Sequence, residues 1–237
     1  FSRSQKTLEL FLEGNPHLKG IEFVEKVLEH FEFSFQTPWN EKERIPNEGR
    51  LVIIANHPLG TLDAAAVFKL VSEVRSDVKV VVDDGVNEIQ ALAPITVPNG
   101  PSDKSAEQES SKRILKDFLS KEGVLIFFPS EELSRIRPGG VIDTKWRKDF
   151  LNIAMEMNSP ILPIFIDASN SALFYSVSAI YKPLSTLMQL PEMYKQNKKA
   201  VGLRIGKLIT HEAFAKSCLP LKTQVKLFKK HLYKIGR

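Results

Sequence analysis

Asn56-His57-Pro58-Leu59-Gly60-Thr61-Leu62-Asp63 is the densest group of residues in the sequence that could do chemistry. It follows an apolar run of strand length, Leu51 to Ala55, and precedes a helical pattern. That places it at the carboxyl end of a strand, where ligands gather in open α/β sheets. A carboxylate six residues after the imidazole, across a turn containing Gly60, can hold one ring nitrogen of His57. The other nitrogen is then free to take a proton. Both residues also have plainer readings: Asp63 as the N-cap of the helix that follows, and His57 as a structural side chain bonded to a neighbouring loop.

A second group, Phe128-Pro129-Ser130-Glu131-Glu132-Leu133-Ser134, leaves another apolar run, Val124 to Phe128. Its polar residues read either as a site or as a turn leaving a strand. Neither Ser130 nor Ser134 sits in a Gly-x-Ser-x-Gly elbow, which weighs against a serine hydrolase. Cys218, the single cysteine, lies among Ala215, Leu219 and Pro220, as at a packed helix end, and it makes a poor nucleophile there.

The elements that must position these groups follow an alternating pattern. Strands are predicted at 51–55, 78–82, 95–97, 123–128, 161–166 and 201–206. Helices are predicted at 62–74, 85–92, 104–121 and 145–157, with Gly123 as the stop signal of the third. Before them, Leu8, Phe11 and Leu12, then Ile21, Val24, Val27, Leu28 and Phe31, predict two amphipathic helices broken by Gly14-Asn15-Pro16. Phe31, Phe33 and Phe35 alternate with polar residues as in a short strand before a turn at Pro38. The fold class is α/β: a central, mostly parallel sheet flanked by helices, with an N-terminal helical cap. Residues 1–45 form the cap and 46–237 the α/β domain, one compact unit that a longer chain could contain.

Two segments carry amphipathic faces. Lys182 to Tyr194 bears Leu184, Leu187, Met188, Leu190 and Met193, a stripe that reads as core, as a surface lying on lipid or as a cover for the site. Leu221 to Tyr233 is a basic amphipathic helix and the better candidate for attachment to an anionic membrane surface. From Lys195 onward twelve Lys or Arg face one acid, Glu212, although the whole chain of 237 residues is only +5. The basic end could also be a solvated face.

Composition excludes several classes. Hydrophobic residues make up 43% and charged residues 26%, as in an ordinary globular protein. No run approaches the ~18 apolar residues of a spanning helix. Phe1 to Gly14 mixes charges with apolar residues and reads as structure, not as a signal peptide. One cysteine builds no disulfide framework and fits a reducing, cytoplasmic compartment. The five histidines are scattered, so no metal site is expected. There is no Gly-x-x-x-x-Gly-Lys loop for nucleotide phosphates and no motif for reading nucleic acid.

The sequence resembles the lysophospholipid and glycerolipid acyltransferases, whose first motif is Asn-His followed by an Asp. Asn56 to Gly60, Val74 to Lys79 and Ile95 to Pro98 look like the branch that holds haemolysin-like proteins and the ornithine or glycine lipid N-acyltransferases. Phe128 to Ser134 is similar to the family's third motif. Asp143, Trp146 and Phe150 match a triplet of the branch, and Pro160, Pro163 and Asn170-Ser171 resemble its fourth motif. The likeness runs from about Phe11 to the end.

The resemblance implies direct transfer of a fatty acyl group from an acyl carrier protein or coenzyme A thioester to an amine or hydroxyl acceptor. His57 is then the general base and Asp63 its partner. Asn56, Gly60, Ser130, Glu132, Ser134 and Asn170 line the substrate pocket, and no bound cofactor is needed. The place of action is the inner face of the membrane, as a peripheral protein. The chain has five residues between His57 and Asp63, as the haemolysin-like branch does, where most of the superfamily has four. It lacks the second-motif arginine of the glycerol-phosphate enzymes, which points to an acceptor without phosphate. Glu131 and Ala168 stand where the branch has glycine. These departures motivate the alternative of a catalytically impaired module that binds lipid or carrier protein.

Overall fold

A computed structural model describes residues 2–83, 89–101, 106–130, 132–138, 140–171, 174, 190–196 and 200–237. In chain order the helices are α1 Ser2–Gly14, α2 Gly20–His30, α3 Trp39–Lys42, α4 Thr61–Ser72, α5 Ala106–Ser120, α6 Asp149–Glu156, α7 His211–Ala215 and α8 Leu221–Ile235. The strands are β1 Phe35–Gln36, β2 Leu51–Ala55, β3 Val78–Val82, β4 Thr96–Pro98, β5 Val124–Phe127, β6 Arg135–Arg137, β7 Gly140–Ile142, β8 Ile161–Asp167 and β9 Val201–Ile205.

Seven strands form one sheet in the order β1-β9-β8-β2-β5-β3-β4. Every neighbouring pair is parallel except β8 with β9. β2 lies at the centre with Ile53 paired to Ile126 on one side and Leu162 on the other. All five of its residues are buried, as an unbroken apolar run requires when helices cover both faces. Alternation sorts them: Leu51, Ile53 and Ala55 join the core under α2 and α4, while Val52 and Ile54 join the core under α5, α6 and α8. The second core is centred on Phe150, fully buried between the rings of Trp146 and Phe228.

The α/β class with a mostly parallel, helix-flanked sheet is as the sequence implies, and local differences have local causes. Phe31 ends α2, its N–H still bonded to Val27, and Glu32 takes the left-handed conformation. Only Phe35 and Gln36 pair as a strand, so the alternating phenylalanines do not mark one continuous strand. Pro38 opens the one-turn α3. At the end of α5 the left-handed residue is Glu122, and Gly123 is needed for space, because a Cβ there would stand 2.5 Å from the Phe118 ring. Residues 85–88 of the predicted helix 85–92 lie outside the described residues, as does most of the Lys182 to Tyr194 stripe. Ile89 to Ile95 form no helix, and Leu190 and Met193 pack against the first core.

Arg75 and Asp77, part of one matching motif, pair with each other at the amino ends of β3 and β5, opposite His57. The Arg75 guanidinium also reaches the carbonyls of Pro46, Gly49 and Glu122. With every partner supplied, this buried charge is a clamp for the sheet's far end. Val24, Leu28, Phe31 and Ile45 share one buried cluster with Ile53 and Leu62.

Candidate active site

β2 delivers Asn56 and His57 to the carboxyl end of the sheet. The Asn56 side chain is buried and spans the gap to β8, donating from Nδ2 to the Ile166 carbonyl (2.9 Å) and accepting from its N–H (2.7 Å). Both ends of the amide are engaged with the strand. Asn56 thus prolongs the ladder beyond Ala55 and fixes where His57 begins, in place of the pocket contact expected of it.

Gly60 opens α4 with φ +90°, a conformation open to glycine at little cost. This turn absorbs the fifth intervening residue. Asp63 falls in the first turn of α4, not at its N-cap, and reaches back to accept the N–H groups of Leu59 (2.7 Å) and Gly60 (2.9 Å) on Oδ2. The same oxygen lies 3.3 Å from Nδ1 of His57. Nδ1 is not aligned for a full hydrogen bond, and Asp63 Oδ1 is buried with no partner among the described residues.

Asp63 is fully buried, whereas the His57 side chain is 24% exposed. Nδ1 is buried against the carboxylate, and the His57 ring lines a cavity. Burial raises the Asp63 carboxyl above the ordinary aspartate value, against the pull of the nearby imidazole and the two N–H groups. A buried carboxylate beside Nδ1 favours the tautomer with its proton there, leaving Nε2 as the basic atom.

The other expected residues divide. Ser130 lines the same cavity as His57, with its hydroxyl donating to the Glu132 carbonyl and meeting Thr144 at 3.3 Å. Glu132 pairs with Arg135 at 2.9 Å, and Asn170 donates to the Pro58 carbonyl at 2.9 Å, bracing the His57 turn. Ser134 is buried; its N–H bonds the His57 carbonyl (3.0 Å) and its hydroxyl bonds Asp143. Ser134 therefore supports the loop and is not open to substrate. It leads into the hairpin β6–β7, a stretch to which the sequence reading assigned no element. Glu131 lies outside the described residues.

A cavity of about 250 Å³ opens beside His57. Phe23, Val24 and Val27 of α2, Ala64, Ala65 and Phe68 of α4, and Val80 to Val82 of β3 give it apolar walls. Polar groups enter from positions just after strands or just before α6: His57, Ser130, Asn99 and Arg147. Sequence reading missed the last two. Arg147 donates to Asp149 (2.6 Å), Asp83 (3.2 Å) and the Gly100 carbonyl (3.1 Å), and Asn99 Oδ1 is buried with no partner among the described residues. The signal that could have found Asn99 was its place directly after β4. Such a cavity can hold an alkyl chain along its walls and a polar reacting group at Nε2.

No helix among the described residues is long and apolar enough to cross a membrane, and none of the described His, Cys, Asp and Glu residues group as a metal site. The model of an acyltransferase family matches residues 6–236. Lyso-glycine lipid O-acyltransferases of Phocaeicola vulgatus and Bacteroides thetaiotaomicron are each 28% identical over 223 residues. These cover 91% of this chain and 78% and 80% of theirs. The fold resembles the 1-acyl-sn-glycerophosphate acyltransferase PlsC of Thermotoga maritima, with a TM-score of 0.54 at 16% identity, covering 96% of this chain and 88% of that one. With the family model spanning residues 6–236, the chain belongs to this acyltransferase family, on a fold it shares with that structure.

Proposed function

We propose that this enzyme moves a fatty acyl group from a thioester to the hydroxyl of a lyso-lipid built on an amino acid, with His57 as general base. The observation that carries the reading is a partly exposed His57 ring that lines an apolar cavity with its Nδ1 3.3 Å from a fully buried Asp63. The acceptor O–H gives its proton to Nε2 while its oxygen attacks the thioester carbonyl. The thiol then leaves with the proton held by the imidazolium, and no covalent acyl-enzyme forms. Asp63 stabilises the imidazolium as it appears.

The acceptor class draws on two supports. Relatives aligned over most of their own length are named for O-acylation of a lyso-glycine lipid. Asn99 follows β4 in the stretch that lacks the second-motif arginine, so the residue that reads phosphate in the glycerol-phosphate enzymes is missing. An amine acceptor is the other reading left open by the sequence. The donor is an acyl carrier protein or coenzyme A thioester, and the basic face of α8 holds the enzyme on an anionic membrane at the cytoplasmic side. A docking module without chemistry draws on Glu131 and on the wider His57–Asp63 spacing, and against the second of these the 3.3 Å approach across the Gly60 turn favours catalysis.

The test is to incubate the protein with acyl carrier protein or coenzyme A bearing a labelled palmitoyl group, together with lyso-glycine lipid or lysophosphatidate. The expected result is transfer to the lyso-glycine lipid hydroxyl, with much less to lysophosphatidate. Equal or greater transfer to lysophosphatidate would overturn the acceptor assignment.

A further inference from the structure

The loop that carries His57 is held by a residue for which neither the proposed chemistry nor the family resemblance supplies a role. Asp143, directly after β7 and 3% exposed, accepts three hydrogen bonds on its carboxylate. The His57 backbone N–H (3.1 Å) and the Ser134 hydroxyl share Oδ1, and the Trp146 indole N–H reaches Oδ2 at 2.7 Å. Its own backbone is fastened as well. Its N–H donates to the Tyr233 phenol oxygen (2.7 Å), and Lys229 donates to the carbonyls of Asp143 and Thr144 (2.6 Å each). Tyr233 and Lys229 both belong to α8, 86 or more residues along the chain.

We infer that Asp143 is a positioning residue that sets the place and tilt of the His57 imidazole, and that α8 fixes Asp143 through Tyr233 and Lys229. The reading rests on His57 being the base. A main-chain N–H has one direction, so a carboxylate anchored on two other sides constrains where the His57 Cα stands. The ring is then steered by two buried carboxylates with separate tasks: Asp63 meets Nδ1, and Asp143 meets the backbone. A buried carboxylate with three donors and a fastened main chain is a rigid support, and reacting groups displaced by about 1 Å can lose on the order of 10²-fold in rate.

The requirement for a carboxylate follows from the donors. His57 N–H and Trp146 N–H approach opposite oxygens, so an amide at 143 would turn its NH₂ toward one of them. Asp143→Asn therefore perturbs the support without emptying it, and Asp143→Ala removes it. Tyr233→Phe takes away one oxygen and keeps the ring beside Phe165.

The experiment compares these three variants with the parent by kcat, by KM for donor and acceptor, by thermal unfolding, and by the NMR position of the His57 backbone amide. Expected is a kcat fall of at least tenfold for Asp143→Ala and a smaller one for Asp143→Asn and Tyr233→Phe. KM should stay within twofold, with the His57 amide proton moving upfield in the same order. A kcat within twofold of the parent in folded Asp143→Asn and Tyr233→Phe overturns the inference, as does a rise in KM that accounts for the loss. If Asp143→Ala does not fold, the other two decide. His57→Ala in the same series separates the two readings: full activity there removes the proposed base, whereas loss there with a normal Asp143→Asn removes only this proposal.

Discussion

Oδ2 of Asp63 serves three groups at once, the N–H groups of Leu59 and Gly60 and the Nδ1 edge of His57, while Oδ1 stays buried with no partner among the described residues. One carboxylate thus closes the turn that begins α4 and faces the imidazole. Asp63→Asn keeps an oxygen for the turn and removes the charge. Turnover should fall on the order of 10- to 100-fold while the protein stays folded. Asp63→Ala should add a stability loss of about 1–3 kcal/mol, because two buried N–H groups lose their acceptor. Steady-state kinetics and urea unfolding check both.

The raised titration of Asp63 has a sign that can be measured. Because burial lifts the folded-state value above the unfolded one, the stability attached to the group is full below the unfolded value and is lost as pH rises through the folded value. Asparagine does not titrate. The unfolding free energy of Asp63→Asn relative to the parent should therefore improve from pH 4 to pH 7, read from urea curves at each pH; a gap that widens against the variant would contradict the assignment.

Glu41 should behave in the opposite way. Burial works against its charge, but hydrogen bonds from Arg204 and the Ile205 N–H, with the charges of Arg204 and Arg44, hold it below the ordinary glutamate value. Its contribution is present above the unfolded value and is lost as pH falls through the folded one. Glu41→Gln should cost about 1–2 kcal/mol near pH 7, since Arg204 is half exposed and water screens it. The gap to the parent should close in acid, as followed by thermal unfolding.

The cavity wall predicts a chain-length effect. Ala64 lines it, and Ala64→Leu puts three carbons into the space. Displacing about two methylenes of a long acyl group, at about 0.8 kcal/mol each, lowers kcat/KM by roughly tenfold. The loss should be seen with palmitoyl donors and be small with octanoyl donors.

The outer face of α8 carries Lys222, Lys226 and Lys230, all exposed, around Leu227, which is half exposed. Each lysine near an anionic bilayer contributes about 1 kcal/mol. Changing the three to Gln should weaken binding to phosphatidylserine vesicles on the order of 10²-fold at low salt and leave turnover on a detergent-dispersed acceptor unchanged. Vesicle sedimentation measures the first and a mixed-micelle assay the second.

The sheet and the His57 turn were legible because they rest on local pattern: an apolar run long enough for one buried strand, then a glycine, then a helical period. The site's supports were not. Asn56 looked like a substrate contact because its partner, Ile166, is 110 residues away. Ser134 looked like part of a pocket because its bond to Asp143 depends on the β6–β7 hairpin, whose short strands carry no strong apolar alternation. Arg147 was silent because two of its three partners, Asp83 and Gly100, are distant in the chain. Periodicity reports what an element buries; the polar side chains that lock loops together are chosen by tertiary contact.

The central claim is that Nε2 of His57 takes the acceptor's proton. Single-turnover acyl transfer by His57→Ala, with the labelled thioester and lyso-glycine lipid both saturating, measures it most directly. The account predicts a rate lower by about 10²- to 10⁴-fold with the fold intact and the lipid still bound. A rate equal to that of the parent would contradict it.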